Sequence, residues 1–184
     1  IEQLKEFIPH LEELRFNGGE PFAQKIVLDI CDVVAEINPE LKINVATNGT
    51  IYNKRVRHIM DKCNLHINVS IDSLDKQRYS EIRINGDLDI VLKNFYLFNK
   101  YCTANNRKLC VMVNPMRNNW TEMVDFVNFC EEHKVNLWFN TIVYPQHLSI
   151  WNLPVDVLSE IYEIMKIQLD TLPKTIKNYD VFEH

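Results

Sequence analysis

The stretch LRFNGGEPF, residues 14–22, carries an apolar strand end into a proline-opened helix. Leu14 and Phe16 read as the end of a buried strand. Pro21 stands where a helix begins, because the first helical position tolerates a missing N–H. Between them lie Asn17, Gly18, Gly19 and Glu20. The chain holds only four glycines, and two of them are adjacent here. A strand that turns straight into a helix is half of a βα unit, and the same grammar repeats on both sides.

Upstream, apolar residues at 1, 4, 7 and 8 predict a short helix that Pro9 ends. Residues 11–16 are the first strand. After Pro21, the spacing of Ile26, Ile30, Val33, Val34 and Ile37 predicts a helix closed by Asn38-Pro39. LKINVA (41–46) alternates as a strand, TNGT (47–50) is a turn, and 53–62 is a helix with Val56, Ile59 and Met60 inward. LHINVSI (65–71) is a strand. Helices follow at 74–81 and 88–102, the second with Leu88, Val91, Leu92, Phe95 and Phe98 on one face. Residues 109–113 are a strand, and Thr121 caps a helix to about 132 with Val124, Val127 and Phe129 inward. Residues 137–143 are the last strand. Pro154 opens a last helix over 153–169, and 173–184 is polar and loose. Strands alternating with helices, with no hairpin turn between strands, make a parallel sheet. The pattern alone leaves an open doubly wound sheet and a partial barrel both standing; in either, ligands bind at the carboxyl ends of the strands.

The 184 residues suit one domain or one large fragment, and 46% hydrophobic residues supply a core. A net charge of −5 offers no footprint for nucleic acid. No apolar run approaches the roughly 20 residues that cross a bilayer, so no membrane partner is expected. Ile1 is followed at once by a charged amphipathic stretch, unlike a signal peptide. Cys31, Cys63, Cys102, Cys110 and Cys130 are odd in number and widely spaced, as reduced thiols of a cytoplasmic protein are. They form no CxxC or CxxxCxxC. The histidines His10, His58, His66, His133, His147 and His184 show no ligand spacing and read as structural or surface groups.

Polar, compact groups gather at the predicted strand ends: Asn17–Glu20, then Thr47-Asn48-Gly49, then Ser70 and Asp72, then Asn114, then Val143-Tyr144. Taken singly, a glycine pair is a tight turn, Asn-Gly a turn and Ser70 a structural hydroxyl. Three such signals at the ends of consecutive strands point to a ligand instead. Gly18 and Gly19 let it approach the backbone, Glu20 can accept from an ammonium group, and Asn48 and Ser70 can bond hydroxyls or a carboxylate. A phosphate-binding α/β protein fits less well, since Glu20 repels phosphate and no Lys follows the glycines.

Together, NGGEP (17–21), ATNGT (46–50), VSIDSLDKQRYSEIR (69–83) and NGDLDIVLKNF (85–95) resemble, in order and spacing, the radical S-adenosylmethionine superfamily. The resemblance covers roughly residues 1–145. It implies an α/β fold, a partial (β/α)6 TIM-like barrel of parallel strands with outer helices and its first strand missing. It divides the chain into a barrel core, 1–145, and the last barrel helix with the start of a C-terminal extension, 146–184. It also implies that Gly18, Gly19 and Glu20 hold the amino group of S-adenosylmethionine, that Ser70 meets its ribose or carboxylate, and that Arg83 holds the carboxylate, with Asn48 a further cofactor contact. A planar guanidinium suits that task. The family's CxxxCxxC, which binds a [4Fe-4S] cluster, is absent and is expected upstream of Ile1. The chain then reads as a truncated piece, inactive alone, of an enzyme that cleaves S-adenosylmethionine to a 5′-deoxyadenosyl radical for hydrogen abstraction.

The partners implied are a small-molecule or peptide substrate, as in peptide or cofactor maturation, and an electron donor protein. A homodimer through the open edge at 11–16 is also implied. The alternative is a non-catalytic barrel that serves as a ligand-binding or docking module. Trp138, Phe139 and Tyr144 read as core packing, with Tyr144 as a substrate wall the sharper option. The charges of 75–83 other than Arg83 read as solvated.

Overall fold

The computed structural model describes residues 1–178. The chain divides into two compact units, Ile1–Ser70 with Asp89–Leu109, and Ile71–Leu88 with the chain from Cys110 onward. The strands are β1 (Glu13–Phe16), β2 (Lys42–Thr47), β3 (Asn64–Ser70), β4 (Leu109–Val113) and β5 (Asn136–Phe139), in one five-stranded sheet ordered β1-β2-β3-β4-β5. This sequential order is the one expected from the β/α alternation.

In the first unit β1 pairs parallel with β2, Glu13 opposite Lys42 and Phe16 opposite Val45. Glu13 pins that register by accepting from Lys42 Nζ at 2.7 Å and from Asn44. β2 pairs parallel with β3 from Lys42–Asn64 to Thr47–Val69. Alternate residues are buried on each strand: Ile43, Val45 and Thr47, then Leu65, Ile67 and Val69. Its helices are α1 (Glu2–Lys5), α2 (Lys25–Ile37), α3 (Lys54–Lys62) and, from Asp89 on, the long helix Leu88–Ala104. α1 is shorter than expected, and Pro9 sits in a separate 3-10 turn, Ile8–His10. Asn53 caps α3 by accepting from the N–H of Arg55 and Val56. The core closes on Phe22 and Phe98, stacked at 5.8 Å between centroids, with Tyr52 edge-on to Phe98.

The inward face of α2 differs from the expected one. Val27, Leu28, Cys31 and Val34 are buried, whereas Ile26 is 51% exposed and Ile37 also faces outward. Cys31 behaves as a small core hydrophobe, which turns the buried stripe away from the isoleucines. Cys63 Sγ donates to the Cys31 carbonyl at 3.3 Å.

The second unit holds α4 (Lys76–Ile82), with α5 (Leu88–Ala104) beginning at its boundary, then α6 (Met123–Glu132) and α7 (Val155–Asp170). β4 pairs parallel with β5, Cys110 opposite Asn136 through Val113 opposite Phe139. The last strand stops at Phe139 rather than 143. Thr121 does not cap α6; it lies inside a 3-10 turn, Trp120–Glu122, that precedes it. Trp138 is 58% exposed and Tyr144 is 85% exposed, so neither is core packing. Within the segment expected to be loose, the chain is anchored at residue 178. Asn178 is buried, its Oδ1 accepts from Leu137 N–H at 2.9 Å, and its Nδ2 donates to the Val135 carbonyl at 3.0 Å and to Glu131 at 2.8 Å. Residues 179–184, the rest of that expected tail, lie outside the described residues.

Gly49, in the turn after β2, shows how tightly the first unit is closed. Its φ is +76°, and a Cβ there would lie 2.9 Å from Val69 Cγ1 and 3.0 Å from Val91 Cγ1. Gly49→Ala combines left-handed strain with overpacking, so the unfolding free energy falls by roughly 1–3 kcal/mol. Urea denaturation checks this, with Gly18→Ala as the comparison; there φ is also positive but no atom lies within 4 Å of the added Cβ, and the loss is smaller.

Candidate functional site

β1 ends at Phe16, and Asn17, Gly18 and Gly19 run exposed beyond it. Gly18 has φ +86° and Gly19 φ +58°, conformations that favour glycine. A Cβ on Gly18 would enter open space, while one on Gly19 would come within 3.0 Å of Gln24 Nε2. The turn therefore presents bare backbone outward.

Glu20 fixes this turn. It precedes the 3-10 turn Pro21–Ala23 as its N-cap, and its Oε1 accepts from Phe22 N–H at 3.1 Å. The same oxygen accepts from Thr47 Oγ1 at 2.8 Å, and Oε2 accepts from Asn48 N–H at 2.7 Å. One carboxylate thus joins the ends of β1 and β2. Thr47 is buried, and its Oγ1 accepts in turn from Gly49 N–H at 3.1 Å. Asn94 of α5 donates to the Gly49 carbonyl at 2.8 Å.

Of the residues singled out in the sequence, Gly18, Gly19, Glu20 and Asn48 come together here. The Asn48 side chain closes its own turn, Oδ1 accepting from Thr50 N–H at 2.9 Å and Thr50 Oγ1 at 2.6 Å. Ser70 is half-buried as the last residue of β3.

Arg83 lies in the second unit as the C-cap residue of α4. It is not a surface charge. Its Nε donates to Asp72 Oδ2 at 2.8 Å, and its Nη2 lies 2.6 Å from the same oxygen. Asp72 is buried, and its Oδ1 accepts from Asn114 N–H at 2.9 Å and Asn114 Nδ2 at 2.8 Å. Asn119, also buried, donates to the Asp72 carbonyl at 2.7 Å and to the Asn114 carbonyl at 2.9 Å.

Asp72 and Asn114 were legible as polar strand-end residues; Asn119 carried no signal of its own. Arg78 departs from the solvated reading. It pairs with buried Glu122, which also accepts from Ser73 Oγ and Leu74 N–H. That carboxylate holds the Arg78 guanidinium above its ordinary range.

The cysteines are free thiols, buried except for half-buried Cys110. Burial pushes Cys102 up to about 12 and Cys110 up to about 11, so neither offers a thiolate near neutrality. Among the described residues, no group of three or more His, Cys, Asp or Glu is placed to hold a metal ion. No helix among them is long and apolar enough to cross a membrane.

No family model matches the chain. Curated relatives do. A GTP 3',8-cyclase of Pseudomonas putida is 24% identical over 148 residues, 80% of this chain and 41% of that protein. Another, of Clostridium perfringens, is 28% identical over 130 residues, 70% of this chain and 39% of that protein. The molybdenum cofactor biosynthesis protein moc-5 of Caenorhabditis elegans is 26% identical over 137 residues, 74% of this chain and 22% of that protein. The chain thus spans less than half the length of these relatives. Among solved structures, Streptococcus suis SuiB bound to S-adenosylmethionine matches at TM-score 0.68 with 14% identity, over 96% of this chain and 42% of that one. That likeness shows the α/β fold of parallel strands.

Glu20 carries structural bonds whatever it offers a ligand. Glu20→Ala strands the Phe22 and Asn48 N–H groups and the Thr47 hydroxyl, and stability falls by about 1–3 kcal/mol. Glu20→Gln keeps the Oε1 acceptor and loses less. Chemical denaturation without any added ligand checks both.

Proposed function

From the chain's relationship to the radical S-adenosylmethionine superfamily, we propose that it is the cofactor-binding part of an iron–sulfur enzyme. The observation that carries this reading is the exposed, left-handed Gly18-Gly19 turn, which Glu20 braces against the end of β2. In this proposal the turn receives the α-ammonium group. A carboxylate has about four lone-pair sites, so Glu20 can brace the turn and still accept from an ammonium. Ser70 bonds the ribose or carboxylate, and Arg83 receives the carboxylate, with Asn48 shaping the rim of its own turn. Held by these residues, S-adenosylmethionine would supply one-electron chemistry for hydrogen abstraction from a substrate.

The chain's own cysteines do not fit a [4Fe-4S] cluster: they are dispersed and, but for half-buried Cys110, buried. We assign the cluster ligands to the rest of the protein, along with the contacts to an electron donor protein. Residues 1–145 then form the core and 146 onward leads to an extension. The names of the relatives, a GTP cyclase and a molybdenum cofactor biosynthesis protein, make cofactor assembly the first substrate class to test. SuiB, whose structure holds S-adenosylmethionine, supports the cofactor.

The test uses the full-length protein, anaerobic and reduced, with S-adenosylmethionine. The expected product is 5′-deoxyadenosine. Binding without cleavage would instead favour a ligand-binding or docking module. Gly19→Val forces a branched side chain onto a positive φ and into the approach to the backbone. Affinity measured by calorimetry is expected to fall roughly ten- to a hundredfold, the scale of a lost charge-assisted bond, with circular dichroism unchanged. Unaltered affinity would remove the glycine turn from the site.

A further inference from the structure

We propose that Asp72 is a positioning residue, which fixes the Arg83 guanidinium as the receptor for the carboxylate of S-adenosylmethionine. The inference rests on the cofactor reading above and adds a residue that the motif resemblance did not assign.

The geometry begins with burial. Asp72 is 3% exposed, while the Arg83 side chain keeps 26% of its surface open. The pair is therefore sealed on the acid's side and open on the base's side. One carboxylate oxygen takes both Arg83 Nε at 2.8 Å and Nη2 at 2.6 Å. That chelate removes rotation about the last side-chain bonds. A guanidinium has more N–H donors than one oxygen can take, so an edge of the plane stays available in a set direction.

Asp72 is itself immobilised. Its other oxygen takes the N–H and Nδ2 of Asn114, and Asn119 ties the Asp72 carbonyl to the Asn114 carbonyl. Asn119 Oδ1 also accepts from Met116 N–H at 2.6 Å, which anchors this amide to the start of the next loop. Arg83 is held from its backbone as well, its N–H donating to Tyr79 O at 2.8 Å and its carbonyl accepting from Gly86 N–H at 2.6 Å. Gly86 leaves no room for a Cβ, which would fall 2.7 Å from that carbonyl and 2.8 Å from Tyr79 Cε1. Side chain and main chain are thus both fixed, an arrangement that suits a planar receptor better than a mobile surface arginine.

Two readings of Asp72 predict opposite signs. If only charge mattered, removing the acid would leave Arg83 more positive and tighten binding of a carboxylate. If Asp72 orients the guanidinium, its removal weakens binding through lost geometry.

The experiment is calorimetric titration of the full-length protein with S-adenosylmethionine and with decarboxylated S-adenosylmethionine, which lacks the group that Arg83 would hold. Asp72→Asn is expected to weaken S-adenosylmethionine about tenfold and leave the decarboxylated ligand unchanged. Arg83→Gln is expected to weaken S-adenosylmethionine by roughly ten- to a hundredfold. The double variant should bind like Arg83→Gln alone, because Asp72 acts through that residue. If Asp72→Asn does not fold, Asn114→Ala loosens the same carboxylate from its other side and should show the same ligand pattern. Wild-type affinity in Arg83→Gln would overturn the assignment of Arg83 itself. Wild-type or tighter affinity in Asp72→Asn beside a weakened Arg83→Gln, additive losses, or equal losses for both ligands would overturn the role of Asp72 alone.

Discussion

The first unit depends on a carboxylate that bonds across two strand ends. Glu20 takes donors from its own turn and from the turn after β2, so the glycine pair is held by a neighbour distant in sequence and not only by local chain preference. Such a bond to an ionised acceptor is among the stronger ones a protein makes. It lets a backbone with positive φ at two adjacent glycines hold one shape. The same strand pair is held at its start by Glu13, which bonds Lys42 and Asn44.

Asp72 repeats this use of an acid in the second unit. Both carboxylates lie just past a parallel strand, and both bond a main-chain N–H of another segment, Asn48 for Glu20 and Asn114 for Asp72. An acid at a strand end can satisfy the amides that a parallel sheet leaves pointing past its rim. In doing so it converts a loop into a rigid platform. Chemistry at such a rim gains because the groups aimed at a ligand need no further ordering when it arrives.

Much of this was legible in the sequence. Strand and helix alternate with clear periods, and the glycine pair, the Asn-Gly turn and the polar ends of the first four strands stand at their expected places; the fifth strand stops short, at Phe139. What escaped was set by tertiary packing. Cys31 was not counted among the core formers, so the buried stripe of α2 was placed on Ile26 and Ile37. Thr121 looked like a cap, but a 3-10 turn intervened. Glu20 was read for what it could offer a ligand, and its debts to Phe22, Thr47 and Asn48 were invisible because two of those partners lie beyond the next helix. Trp138 was read as core because aromatic residues in strands usually are, yet it stands on an edge strand.

Asn178 gives that edge an unusual finish. Its amide receives the N–H of Leu137 and donates to the carbonyl of Val135, the two groups that an adjoining strand would engage. A side chain thereby imitates a peptide unit and caps the ladder without adding a strand. Unpaired edges recruit other chains, and here the Leu137 N–H and the Val135 carbonyl are already engaged. Replacing this amide by a methyl group would return both groups to the unpaired state of an open edge.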